Sequence, residues 1–215
     1  MNLPRHPRSF NRIVAAGLAV AALGATLSAC APLMVAGAAT GALVVVDRRT
    51  SGAQLDDQSI ELRASNRIMG QLGEGRARVA VTSYNRRVLL TGEASSEAIK
   101  TQVGQMVSQV ENVKEVINEL GVTASPSLKE RATDTLITGR IKASLVDAKD
   151  ISASAFKVTT ERGTVYLMGR VTQREADRAT GIARNTSGVA RVIRAFEMVT
   201  EAELAGMQTQ PAPAK

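Results

Sequence analysis

Along the middle of the chain, apolar positions recur with two alternating periods. Ile60, Ala64, Ile68 and Leu72 return every fourth residue, the spacing of an amphipathic helix with one buried stripe. Val79, Val81, Val88 and Leu90 then alternate on either side of Asn85-Arg86, which predicts two strands joined by a tight turn. Ser95 or Ser96 opens a second helix reaching about Gln109, with Ile99, Val103, Met106 and Val110 inward. Val113 to Val122 follows as a third strand.

The order then repeats. The run from Val81 to Gly92 returns from Val158 to Gly169, a shift of 77 positions (81 to 158). Ile137, Ile141 and Leu145 form the helical stripe, and Phe156, Val158, Val165 and Leu167 alternate about Arg162-Gly163, where Gly supplies the positive φ of a tight turn. Ser127-Leu128-Lys129-Glu130 and Thr172-Gln173-Arg174-Glu175 have the spacing of capping boxes at two helix starts. Gly188-Val189 ends the last helix, and Val189 to Val199 closes the unit as a strand with Phe196 and Met198 on one face. Each unit is α-β-β-α-β. The fold class is α+β: two tandem units, each a three-stranded mixed sheet covered on one face by two helices. A unit of about 70 residues has a thin core alone, so the two are expected to pack together.

The termini carry a different pattern. Arg5, Arg8 and Arg12 precede an uncharged apolar run from Ile13 to Ala25, which is the layout of a secretory signal. Leu27-Ser28-Ala29-Cys30 closes it and resembles a bacterial lipobox, in which the Cys becomes the first mature residue and carries lipid. Cys30 is the single Cys of the chain, so it has no disulfide partner. Ala rather than Asp at position 31 implies, by the same resemblance, sorting to the outer membrane. Residues 31–46 are again small and apolar, but Pro32 interrupts them, and cleavage before Cys30 leaves too little to span a bilayer. The expected organisation is a signal peptide over 1–29, a lipid-anchored tether and linker over 30–55, domains over 56–123 and 124–200, and a disordered tail over 201–215. Asp56-Asp57 is the expected start of the first helix.

Composition narrows the chemistry. The one His is His6, inside the signal, and there is no Trp. Without His or a free Cys in the mature chain, most metal and nucleophile chemistry is gone, and no carboxylate pair stands out. The expectation is a protein without catalytic residues, metal or cofactor. Lys and Arg balance Asp and Glu over residues 47–123, ten against ten, but exceed them thirteen to eight over 124–200. A basic domain outside the cytoplasm meets little nucleic acid, so an anionic membrane surface is the better partner.

The αββαβ order, the V-x-L-x-G strand ends (Val88 to Gly92 and Val165 to Gly169) and the Gly-Val before the last strand resemble BON domains. Two copies behind a lipobox, with Asp56-Asp57 and Thr133-Asp134 in the leading helices, resemble the dual-BON outer-membrane lipoproteins over roughly 47–199. The resemblance implies a non-enzymatic lipoprotein needed for envelope integrity, with anionic phospholipid binding through the second BON domain and concentration at the division site.

The first helix of the second repeat carries the candidate site. At 100° per residue, Leu136 lies about 140° from the centre of the Ile137–Ile141–Leu145 stripe. Lys129 and Arg140 share its face, beside small Ala132 and Ala143. An apolar side chain between cations suits an interfacial element, the apolar group entering the acyl boundary and the cations meeting phosphates. Candidate phospholipid-binding residues are Leu136, Arg140, Lys142, Lys129 and Val146, with Cys30 the lipidation site. Matching the two leading helices by their apolar stripes puts Arg63 opposite Leu136, which predicts that only the second repeat has such a wedge. The resemblance implies Trp at the place of Leu136, and Leu lacks the preference of Trp for headgroups. It also implies a Gly in the first hairpin turn, where Arg86 and Arg87 stand and read as a solvated tip.

Two functions fit. One is a phospholipid-binding lipoprotein of the outer membrane facing the periplasm. The other is an adaptor that docks an envelope protein partner, an outer-membrane assembly machine or a regulator of peptidoglycan hydrolases.

Overall fold

The computed structural model describes residues 47–72 and 75–208, all within one compact unit, Val45–Lys215. The signal peptide, Cys30 and the apolar tether lie outside the described residues, as does the tail beyond Gln208.

The first domain contains α1 (Ser51–Leu72), β1 (Ala77–Tyr84), β2 (Arg87–Ala94), α2 (Glu97–Ser108), β3 (Glu115–Asn118) and β4 (Gly121–Val122). The second contains α3 (Leu128–Asp147), β5 (Phe156–Glu161), β6 (Thr164–Val171), α4 (Gln173–Arg184) and β7 (Arg191–Met198), followed by α5 (Glu201–Gln208). Both sheets are mixed. β1 runs antiparallel to β2 with Val81 opposite Leu90, and β3 and β4 run parallel to β2. The second sheet repeats this as β5-β6-β7, with Val158 opposite Leu167 and Val165 opposite Val192.

Helix stripes and strand alternation build two cores of the same plan. Ile60, Ala64, Ile68 and Leu72 pack with Val88, Leu90, Val103 and Val107 in the first. Ile137, Ile141 and Leu145 pack with Phe156, Val158, Val165 and Leu167 in the second. Phe196 meets Phe156 edge-on, centroids 6.0 Å apart. Met198 continues its strand face past the edge of this core and is half exposed.

The opposite sheet faces bury each other. Tyr84 and Leu89 of the first domain meet Tyr166, Met168 and Ala195 of the second, with Ile117 and Ile193 at the margin. At their centres β2 and β6 therefore carry apolar side chains on both faces, which supplies the core that a single unit lacks.

Paired details explain the repeat at the residue level. Asn85 and Arg86 have φ of 51° and 68°, and Arg162 and Gly163 have 51° and 69°, so both hairpins close with two left-handed residues. Asp57 accepts the N–H groups of Asn85 and Arg86 at 2.8 and 2.7 Å, and Asp134 accepts those of Arg162 and Gly163 at 2.8 Å each. Each turn is thus held by a buried carboxylate of the leading helix. The V-x-L-x-G glycine is a matter of space: an added Cβ would lie 2.0 Å from the Arg78 carbonyl oxygen at Gly92, and 2.3 Å from that of Ala155 at Gly169.

A short segment ahead of α1 ties the domains together. The buried Arg48 guanidinium donates to both carboxylate oxygens of Glu175 at 2.7 Å and to the Arg170 carbonyl at 3.0 Å. Arg49 donates to Asp57 at 2.8 Å and stacks 4.5 Å from the Tyr84 ring centre. Glu175 has a second role as the N3 residue of the α4 capping box, accepting the Thr172 N–H at 3.1 Å.

Three boundaries differ from the sequence expectation. The linker ends early: α1 begins at Ser51 rather than Asp56, because the Thr50 hydroxyl accepts the Ala53 N–H at 3.1 Å and starts the helix. The third strand of the first domain is two pieces, β3 and β4, where the Asn118 side chain takes the Leu120 N–H and Leu120 turns into the core. Residues 201–208 are helical rather than disordered. Thr200 and Glu203 cap that helix reciprocally, at 2.7 Å and 3.1 Å, and Leu204 is buried.

Candidate membrane-facing site

Helix α3 begins at a complete capping box. The Ser127 hydroxyl accepts the Glu130 N–H at 3.3 Å, and the Glu130 carboxylate accepts the Ser127 N–H at 2.7 Å. The Ser127 hydroxyl and N–H hold the Glu130 carboxyl below its ordinary range, which keeps an anion at the positive end of the helix dipole. Asp134, Ile137, Ile141 and Leu145 face inward, and this fixes what the other side presents.

The outward side carries an apolar stripe along its length. Leu128, Leu136 and Val146 are 80%, 60% and 63% exposed, whereas Ile137, one residue beyond Leu136, is 1% exposed. Ala132, Gly139 and Ala143 are exposed between them, so the stripe continues through small residues. Lys129 and Arg140 border it on one side, Arg131 and Lys142 on the other, by the 100° step of the helix. The Lys129 and Lys142 ammonium groups have no ion-pair partner among the described residues, and Arg140 has only a long 3.5 Å contact to the Ser187 carbonyl. Asp147 lies on the Leu136 side at the last turn, so the cationic character sits in the earlier turns.

The structure therefore brings Leu136, Arg140, Lys129, Lys142 and Val146 onto one exposed surface of α3. Leu128 joins this surface without being a sequence-predicted site residue, since it lies inside the Ser127–Glu130 capping box. Its apolar side chain at the first helical position, outside the stripe of Ile137, was the available signal.

The two leading helices align differently from the sequence expectation. Asp57 and Asp134 hold equivalent turns, so the true offset of 77 (57 to 134) places Ser59 opposite Leu136 and Arg63 opposite Arg140. Alignment by apolar spacing alone puts Arg63 opposite Leu136, one turn away from its true place, because Ala64 and Ile68 mimic the stripe at the wrong register. Nor is exposed apolar surface confined to the second repeat: Leu55, Leu62 and Met69 of α1 are 65%, 63% and 67% exposed. The helices differ instead in charge. All five charged side chains of α1 are engaged within the chain, whereas Lys129 and Lys142 of α3 are not.

Elsewhere, the groove between α3 and β5, about 320 Å³, is lined by Arg131, Asp134, Thr138 and Glu161. Asp134 is committed there to the hairpin turn. Among the described residues no three His, Cys, Asp or Glu side chains gather as a metal site, and no helix is long and apolar enough to cross a membrane.

The BON domain family matches residues 56–124 and 133–200, the two units seen in the fold. The chain belongs to the BON-domain family, as a dual-domain, DolP-like member. It is 36% identical over 178 residues to the outer membrane lipoprotein DolP of Haemophilus influenzae, covering 81% of this chain and 92% of that one. A 21 kDa hemolysin of Actinobacillus pleuropneumoniae is 34% identical over 156 residues, covering 72% of this chain and 80% of that protein. The osmotically-inducible protein Y of Escherichia coli is 30% identical over 144 residues, 66% of this chain and 72% of that protein. In family terms, the candidate surface is the leading helix of the second BON domain.

Proposed function

We propose that this dual-BON protein is a non-enzymatic outer-membrane lipoprotein that binds anionic phospholipid through α3 of its second BON domain and supports envelope integrity, including at the division site. Cys30 carries the acyl anchor and the folded domains face the periplasm. Leu128, Leu136 and Val146 enter the boundary between headgroups and acyl chains, while Lys129, Arg140 and Lys142 meet phosphates.

The observation that carries this reading is the exposed apolar stripe of α3 between unpaired cations. Apolar burial and phosphate attraction act together there, at about 1 kcal/mol per cation near an anionic surface. Leu at position 136 in place of an aromatic residue shifts weight onto those cations. Stable peripheral attachment takes two membrane signals, which the anchor and α3 supply jointly. The likeness to an outer membrane lipoprotein over most of both chains supports the location.

The test is vesicle flotation of residues 47–208, which removes the anchor and leaves both domains together. Flotation is expected with phosphatidylglycerol vesicles and not with phosphatidylcholine alone, and it should weaken as salt rises, since exposed charges are screened over about 10 Å at 0.1 M. Equal flotation with both vesicle types would remove the role assigned to the cations.

A further inference from the structure

The outward face of α1 is not used by the membrane reading. Leu55, Leu62 and Met69 stand seven residues apart on a 22-residue helix, so they form a straight line on the side away from the buried Ile60 and Ala64. Ser59 and Asn66 lie between them, leaving hollows beside each large side chain.

Charge decides what such a face can meet. Arg63 is paired with Glu111 at 2.6 Å, Arg67 donates to Gln109 at 2.9 Å, and Asp56 is paired with Arg86 at 2.6 Å. Arg67 keeps its charge against the neutral Gln109 amide but stands about 140° round the helix from Leu62, so the apolar line of α1 itself presents no unpaired cation to an anionic membrane. A contact between two copies brings identical charges together, and a face whose bordering Arg63 and Asp56 are ion-paired within their own chain can make that contact with little repulsion. The α3 face, with Lys129 and Lys142 unpaired, cannot.

We infer that α1 of the first BON domain is a self-association surface, on which α1 of a second copy packs antiparallel about a two-fold axis at Leu62. The spacing is self-complementary under that axis: Leu62 meets Leu62 of the second copy, and Leu55 meets Met69 at both ends. A two-fold contact of this kind uses the same patch on both partners and closes on itself.

The contact is small. A helix of this length is about 33 Å long and roughly 10 Å wide, less than the roughly 800 Å² per partner of a stable dimer. Pairing is transient in dilute solution and favoured where copies are concentrated. It does not require that α3 bind lipid.

Disulfide trapping of the full-length protein tests this. Leu62→Cys, placed on the two-fold axis, should form a disulfide homodimer at least ten-fold faster than Leu136→Cys, an equally exposed position on α3, with the wild-type chain as the Cys30 baseline. Leu55→Cys and Met69→Cys should cross-link to each other when mixed, and each more slowly to itself. Because all four positions are exposed, melting temperatures should match wild type. Equal rates for Leu62→Cys and Leu136→Cys would overturn the proposal, as would trapping of Leu62→Cys only on a different protein. Faster self-linking of Leu55→Cys than of Leu62→Cys would contradict the antiparallel arrangement.

Discussion

Adjacent residues on α3 separate surface from scaffold. Leu136 is exposed and Ile137 is fully covered by the second core. Leu136→Glu should therefore change stability by no more than about 1 kcal/mol in chemical denaturation, while Ile137→Glu should cost several kcal/mol through an unpaired buried charge. The first hairpin offers a complementary case. Arg86 is left-handed at φ 68°, the position that Gly163 fills in the second repeat. A non-Gly residue there costs roughly 1–2 kcal/mol, and the partly exposed Arg86–Asp56 pair returns at most about 1 kcal/mol. Arg86→Gly should thus leave stability unchanged or raise it by about 1 kcal/mol; a clear loss would show that the ion pair matters more than the backbone. Expecting a solvated tip here was reasonable from composition, but the buried Asp57 that holds the turn was not evident. The partners through which it holds the turn are the backbone amides of Asn85 and Arg86, which no side-chain pattern records.

At the scale of elements, strand alternation and the four-residue helix stripes made the αββαβ order legible, because burial on one face writes itself into the sequence. Boundaries set by single hydrogen bonds were not. The early start of α1 at Thr50 and the break at Asn118 each hang on one polar side chain, and the helix after Thr200 on the reciprocal pair of Thr200 and Glu203. The α3 surface was legible through Leu136 and its cations, whereas the α1 stripe of Leu55, Leu62 and Met69 was hidden by a register chosen on apolar spacing alone. The V-x-L-x-G glycines mark where β1 and the segment before β5 press closest against the central strands. Gly169→Ala should cost several kcal/mol, since its Cβ would sit 2.3 Å from a carbonyl oxygen that belongs to the backbone and cannot swing away. Gly139→Ala, where nothing lies within 4 Å, should instead be neutral or slightly stabilising in the same melts.

Across the whole molecule, two thin domains share one buried sheet interface, locked by the segment that leads from the amino-terminal region into α1. Arg48 reaches one domain and Arg49 the other, so a pull on that segment is spread over both. Arg48→Met should cost about 3 kcal/mol, because Glu175 is left buried without its partner. The pH dependence has a definite sign. Burial pushes the Glu175 carboxyl up, but the Arg48 guanidinium and the Thr172 N–H outweigh it and hold it below its ordinary value of 4.5. A carboxyl lowered in the folded state contributes stability above that value and loses it as pH falls further. Acid melts of the wild type should show this loss, and Arg48→Met should show less of it. Because each domain covers the other's sheet, the role of either helix is best tested in the intact pair rather than in separated domains. The most direct measurement is flotation of residues 47–208 with phosphatidylglycerol vesicles, comparing Leu136→Glu on α3 with Leu62→Glu on α1. Both positions are about equally exposed, so both variants should keep their melting temperature. Leu136→Glu is expected to lose flotation while Leu62→Glu floats like the wild type; equal loss in both, or persistence of binding in Leu136→Glu, would contradict a membrane surface on α3.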